Sequence, residues 1–65
     1  MEAKFLRKSD NKIITISVVV DSIIYIDGDG NEGFVYSSYD PEDVAEFFRR
    51  EVEAYRKDDG YIEIK

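Results

Sequence analysis

The sequence predicts an α+β fold: an antiparallel sheet of three to five strands with one C-terminal helix packed on one face, in the order β-β-(β)-β-α-β. Three observations lead there. The β-branched run "KIITISVVV" alternates between two faces, and two clusters of turn formers, "SDNK" and "DGDGNEG", separate apolar segments. The stretch "DPEDVAEFFRREVEAYRKDDG" carries the start, stripe and stop signals of a helix. With 65 residues, the chain makes one small α+β domain over residues 1–65, near the size where a single core is barely sufficient.

Each element has its own justification. In "KIITISVVV", Ile14, Ile16, Val18 and Val20 share one face and Ile13, Thr15, Ser17 and Val19 the other, which suits a strand with one covered and one partly exposed side. Upstream, "AKFLRK" is a weaker strand, joined through "SDNK" in a hairpin. Downstream, "DSIIYI" allows two geometries. The strand either turns at Asp21-Ser22 or runs on through a bend or bulge; the break is favoured, although no glycine is present for a tight turn. "FVYSSY" is a further strand, ending before Asp40-Pro41.

Asp40 is a good N-cap, Pro41 suits the first helical position because its missing N–H would lack a partner there, and Asp43 lies three residues after the cap. Val44, Phe47, Phe48, Val52 and Tyr55 then follow helical spacing, so the stripe lies on the covered side of the sheet. Glu46 with Arg50, Arg49 with Glu53, and Glu53 with Lys57 are expected to pair one turn apart. Gly60 is the expected stop, in a left-handed conformation. In "YIEIK", Ile62 and Ile64 share a face and allow a last short strand.

Composition excludes several kinds of chemistry. The absence of Cys and His removes disulfides, thiolates, the usual soft metal ligands and the usual neutral-pH proton shuttle. The N-terminus offers only Phe5-Leu6 where a signal peptide needs a longer apolar run, and Asp21 interrupts the most apolar segment, so a soluble cytoplasmic chain is expected. The net charge is −6. From Asp21 to Glu46 there are eight acids (Asp21, Asp27, Asp29, Glu32, Asp40, Glu42, Asp43, Glu46) and no base, a field that repels nucleic acid and attracts basic protein surfaces or cations.

The loop "DGDGNEG" opens like a calcium loop, with Asp27, Asp29 and Asn31 at alternate positions. The sixth position is then Glu32 instead of glycine, the twelfth is Ser38 instead of Glu, and the preceding segment is a strand instead of a helix. The loop is therefore read as a hairpin turn using Gly28, Gly30, Asn31 and Gly33 for positive φ angles, with no metal site and no cofactor. Ser37-Ser38 has no His or Lys partner nearby in sequence, and Glu42, Asp43 and Glu46 suit the start of a helix without any catalysis. No enzymatic activity is expected. Phe47, Phe48 and Tyr55 belong to the core stripe, whereas Tyr25, Phe34, Tyr36 and Tyr39 are either core-edge residues or contacts of a binding face.

The run "SIIYIDGDGNEGFVYSSYDPEDVAEFF" resembles the strand, turn, strand and helix segment of small acidic phage anti-CRISPR inhibitors, which block the DNA-recognition surface of type II CRISPR nucleases. The match lies in "II" before the turn, "DGNE" at Asp29 to Glu32, "V" and "S" after it, and "V" and "F" on the helix. It takes a one-residue gap at Gly33 and covers under half of the chain. The resemblance implies an inhibitor, in the host cytoplasm, whose acids imitate DNA, with contacts at Asp29, Gly30, Asn31 and Glu32.

Charge map and resemblance together give the expected function: a non-catalytic acidic binding protein that docks on a basic protein surface, with nucleic-acid-binding proteins among the candidate partners. The expected contact residues are Asp27, Asp29, Asn31, Glu32, Asp40, Glu42, Asp43 and Glu46. Two alternatives are a structural or designed mini-domain with no specific partner and a weak calcium-binding module.

Overall fold

The computed structural model describes residues 1–65. Five strands and one helix follow in the order β1 (Glu2–Arg7), β2 (Lys12–Val19), β3 (Ser22–Ile26), β4 (Glu32–Ser37), α1 (Pro41–Lys57) and β5 (Tyr61–Ile64). The strands form one antiparallel sheet in the spatial order β4-β3-β2-β1-β5, with α1 across one face. The helix carries the chain from one edge of the sheet to the other, so β5 closes the fold beside β1.

Alternation along the strands decides which residues the helix covers. Phe5 lies opposite Ile14, Ala3 opposite Ile16, and Val18 opposite Ile23. Phe5, Ile16 and Ile23 meet Val44 and Val52 of the helix in a small core, with Phe47, Phe48 and Tyr55 half-buried around it. Ile14, Ile16 and Val18 take the covered side as expected, but Val20 leaves the strand. Phe5 stacks on Tyr55 with ring centroids 5.1 Å apart, and Tyr36 stacks on Phe47 at 4.2 Å. The fold leaves 4491 Å² accessible, against about 11,000 Å² for an extended chain of this mass, so roughly 60% of the surface is buried. That share is typical of a domain of marginal size.

Burial pushes the Tyr55 hydroxyl up to about 12, with Tyr61 and Tyr25 adding to the effect. An unfolded tyrosine ionises near pH 10, so the stabilisation from keeping Tyr55 neutral is complete below pH 10 and is lost as pH rises toward 12. Urea unfolding of Tyr55→Phe, followed from neutral pH to pH 12, is expected to show a smaller alkaline loss than the parent chain. Parallel profiles would contradict this.

The connections correct several expectations. The chain does break, but one residue before the expected Asp21-Ser22: the two-residue turn is Val20-Asp21, and it pairs Val19 with Ser22, already the first residue of β3. The bulge considered there lies one strand later, where Ile23 pairs with Tyr36 and Ile24 with Phe34, leaving Val35 as the extra residue of edge strand β4. In the β1–β2 turn it is Asn11 that has the positive φ, 59°. Of the residues expected to have positive φ in "DGDGNEG", only Gly30 does, at 87°. Gly28 is needed for space instead, since any Cβ there would collide with the base of the Lys12 side chain.

Helix termination also differs from expectation. Gly60 does not adopt the left-handed conformation; Asp58 ends the helix in extended backbone, with φ −87° and ψ 122°. Its N–H donates to the Tyr55 carbonyl, and its side chain accepts from the Gly60 N–H at 2.8 Å. An Asp that captures the amide two residues on makes the turn without a glycine cap. Of the three expected helix pairs only Glu46–Arg50 forms; Arg49 also turns to Glu46, and Glu53 holds Arg56. Arg56 in turn reaches Glu63 of β5 at 2.8 Å and ties the last strand to the helix.

Candidate functional site

The eight expected contact residues fall into two groups at opposite ends of the β3–β4 hairpin. Asp27, Asp29, Asn31 and Glu32 lie at its turn, while Asp40, Glu42, Asp43 and Glu46 lie where the helix starts beyond the far end of β4. A strand of six residues at about 3.3 Å each puts roughly 20 Å between them. A single flat contact does not engage both groups fully.

At the hairpin turn the carboxylates serve the loop itself. Asp27 accepts hydrogen bonds from the backbone N–H of Asn31 at 3.0 Å and of Asp29 at 2.8 Å, and from the Asn31 side chain at 3.3 Å. These bonds, the Asn31 amide first, hold its carboxyl below the usual range. Asp29 forms an ion pair with Lys12 at 2.5 Å, across seventeen positions of sequence. No group of three acidic side chains has a geometry suited to a metal ion. Three of the four turn residues are thus engaged internally, and Glu32 alone has no ion pair or side-chain hydrogen bond.

The opposite end is built differently. Asp40 caps the helix, accepting from the Glu42 N–H at 2.9 Å, while the Ser38 hydroxyl accepts from the Asp40 N–H and donates to Asp43 at 3.3 Å. The expected cap, Asp40, is in place, and Ser38, which the sequence did not single out, links it to Asp43. The Ser38 N–H also donates to the Asp21 carbonyl at 3.2 Å, which fixes the Val20-Asp21 turn against the entry to the helix. Asp21, Ser37, Ser38 and Tyr39 line a shallow groove there. None of Asp21, Asp40, Glu42 and Asp43 has a basic side chain within ion-pair distance, whereas Glu46 is held by Arg49 and Arg50.

Two apolar residues stand out among these acids. Tyr39 is 100% exposed and Val20 93% exposed. Val20 has a φ of 60°, a left-handed value that a β-branched residue rarely adopts, and only this first central residue of the turn has it. Position and sign match the turn type that ordinarily takes glycine there. Such strain costs about 1–3 kcal/mol, and replacement by glycine returns about 0.5–1 kcal/mol of it as chain entropy. Val20→Gly is therefore expected to stabilise the fold by about 1 kcal/mol and raise the melting temperature by roughly 4–8 °C. An unchanged or lower melting temperature would show that the turn is not strained.

Sequence reasoning had assigned Val20 to the covered face and left Tyr39 undecided. The only sequence signal for Val20 was a third consecutive valine directly before Asp21, a poor turn former where a turn was needed. Tyr25 and Tyr36 are half-buried on the covered side, and Phe34 is exposed on the opposite side of the sheet. No helix is long and apolar enough to cross a membrane. No protein family, no curated protein and no solved structure matches the chain.

Proposed function

We propose that the protein is a non-catalytic binding module that docks on a basic protein surface through the end formed by the Val20-Asp21 turn and the start of α1. The observation that carries this reading is the pairing of exposed apolar side chains with uncompensated acids. Val20 and Tyr39 project fully while Asp21, Asp40, Glu42 and Asp43 around them lack basic partners. An aromatic anchor with a charged rim is the usual anatomy of a small interface. Strain retained at an exposed valine supports the same reading, because a protein under selection for stability alone would favour glycine there.

The complementary surface carries lysines or arginines around a shallow apolar pocket that takes the tyrosine. Nucleic-acid-binding proteins present such basic surfaces, so an inhibitor that occupies the place of DNA is one form of this function, and the anti-CRISPR resemblance points the same way. In that form the contacts centre on Asp21, Tyr39, Asp40, Glu42 and Asp43, with Asp29 and Asn31 left to maintain their own turn. The test is affinity capture from cells of the native source with the parent chain and with Asp21→Lys/Glu42→Lys, circular dichroism confirming that both are folded. A specific basic protein retained by the parent and lost by the variant supports the proposal. The same proteins on both, or none on either, would refute it.

A further inference from the structure

The face of the sheet turned away from the helix has no cover. Ile13, Ile24, Ile26, Phe34, Ile62 and Ile64 all point to it by register, and five of the eight large hydrophobic residues that stand exposed in the chain lie on it. Phe34 is 69% exposed there. Five strands about 4.8 Å apart, with about five residues each, span roughly 20 by 20 Å, on the order of 500 Å² once side-chain relief is included. Polar and charged residues share this area, and its apolar part has the size of the largest apolar patch on an ordinary monomer, a patch that often serves a function.

We infer that this face packs against the same face of a second copy. Two such patches would hide on the order of 1,000 Å², the lower bound for a specific interface. The strand positions that point to this face carry charges of both signs, Glu2 and Lys4 on β1 and Glu32 on β4, a mixture that favours a copy of itself over a uniformly basic or acidic partner. The middle of the face is neutral, with Thr15 only 9% exposed at its centre. Lys4 and Glu32 lie in one row across the strands, on opposite sides of Thr15: Lys4 pairs with Thr15 in register, Thr15 with Ile26, and Ile26 with Glu32. A two-fold axis parallel to the strands between β2 and β3, at the midpoint of this row, brings Lys4 of each copy over Glu32 of the other, giving two reciprocal contacts. The six buried apolar residues of one copy make a small core, and sheet-on-sheet packing about 10 Å deep gives the chain a second one. The helix and the acidic end stay outside this interface, so the dimer presents two docking ends.

Sedimentation equilibrium of the full chain tests this independently of any partner. At about 100 µM the expected species is twice the 7.6 kDa of one chain. Ile24→Lys, in an inner strand, is expected to sediment as a monomer with native circular dichroism. Phe34→Lys, on a side chain already mostly exposed, should do the same if the first variant fails to fold. Lys4→Glu and Glu32→Lys should each weaken association at least about tenfold, and the double exchange should restore it. A parent chain that stays monomeric at about 1 mM overturns the inference. So does a folded Ile24→Lys or Phe34→Lys variant that still dimerises, since pairing through edge strands does not involve Ile24.

Discussion

Phe5→Ala is expected to leave most of the chain unfolded at room temperature. Phe5 is fully buried, lies opposite Ile14 in the sheet and stacks on Tyr55 of the helix, so it joins the two layers of a core with few other members. Truncating such a phenylalanine costs about 3–5 kcal/mol, through lost transfer energy and the cavity left behind. A domain of 65 residues at about 0.05–0.15 kcal/mol per residue has only about 3–10 kcal/mol in total. Loss and total are of the same size. Phe5→Leu keeps most of the volume and should cost less than about 2 kcal/mol. Urea unfolding of all three chains at one protein concentration, so that the mass-action contribution of any self-association is compared at the same concentration, is the check. A loss below about 1 kcal/mol for the alanine variant would mean that the helix is not packed over Phe5 as described.

Tyr39→Ala is expected to separate binding from stability. The side chain is 100% exposed and enters no aromatic stacking, so its removal should change stability by no more than about 0.5 kcal/mol. If the ring fills a pocket on the partner, truncation should weaken the complex about tenfold to a hundredfold, mainly through faster dissociation. Val20→Gly adds a contrast. It should bind more weakly while melting higher, because the side chain lost from the interface is the one that strains the turn. A Tyr39→Ala chain with parent affinity would remove the aromatic anchor from the account.

Most of the architecture was readable because local signals agreed with one another. The alternation in β2, the cap and proline at the helix start, and the stripe from Val44 to Tyr55 each specify an element and the side it buries, and the two-layer fold follows. Details that depend on distant neighbours were not readable. Nothing in the sequence ties Lys12 to Asp29, although this pair and the close approach of Gly28 to Lys12 shape the hairpin turn. The helix stop was misassigned to Gly60 because the Asp58 side chain competes for the same amide that a left-handed glycine would otherwise orient.

The candidate site was half legible. The acids at the helix start were visible as an unbalanced run, but the run looked continuous through "DGDGNEG" because sequence distance does not reveal that β4 carries the chain to the other end of the sheet. Val20 was hidden because it continues the apolar alternation of β2, which places the break one residue later, at Asp21-Ser22. Its place at the tip depends on the pairing of Val19 with Ser22, which only the assembled sheet displays. Asp10 at the β1–β2 turn and Asp27 at the β3–β4 turn are held below the usual range, Asp10 chiefly by Arg7 and Asp27 by its own loop's amides. The stabilisation from these groups is present above the ordinary carboxylate range and is lost as pH falls through their lowered values.

The most direct measurement of the central claim is the salt dependence of affinity between the captured partner and two forms of the protein, the parent chain and Asp21→Lys/Glu42→Lys. Docking through the acidic end predicts that the parent's affinity falls steeply between about 50 mM and 500 mM salt, mostly through slower association, and that the variant binds weakly with a nearly flat profile. Equal slopes for the two forms, or a salt-independent affinity in the parent, would contradict it.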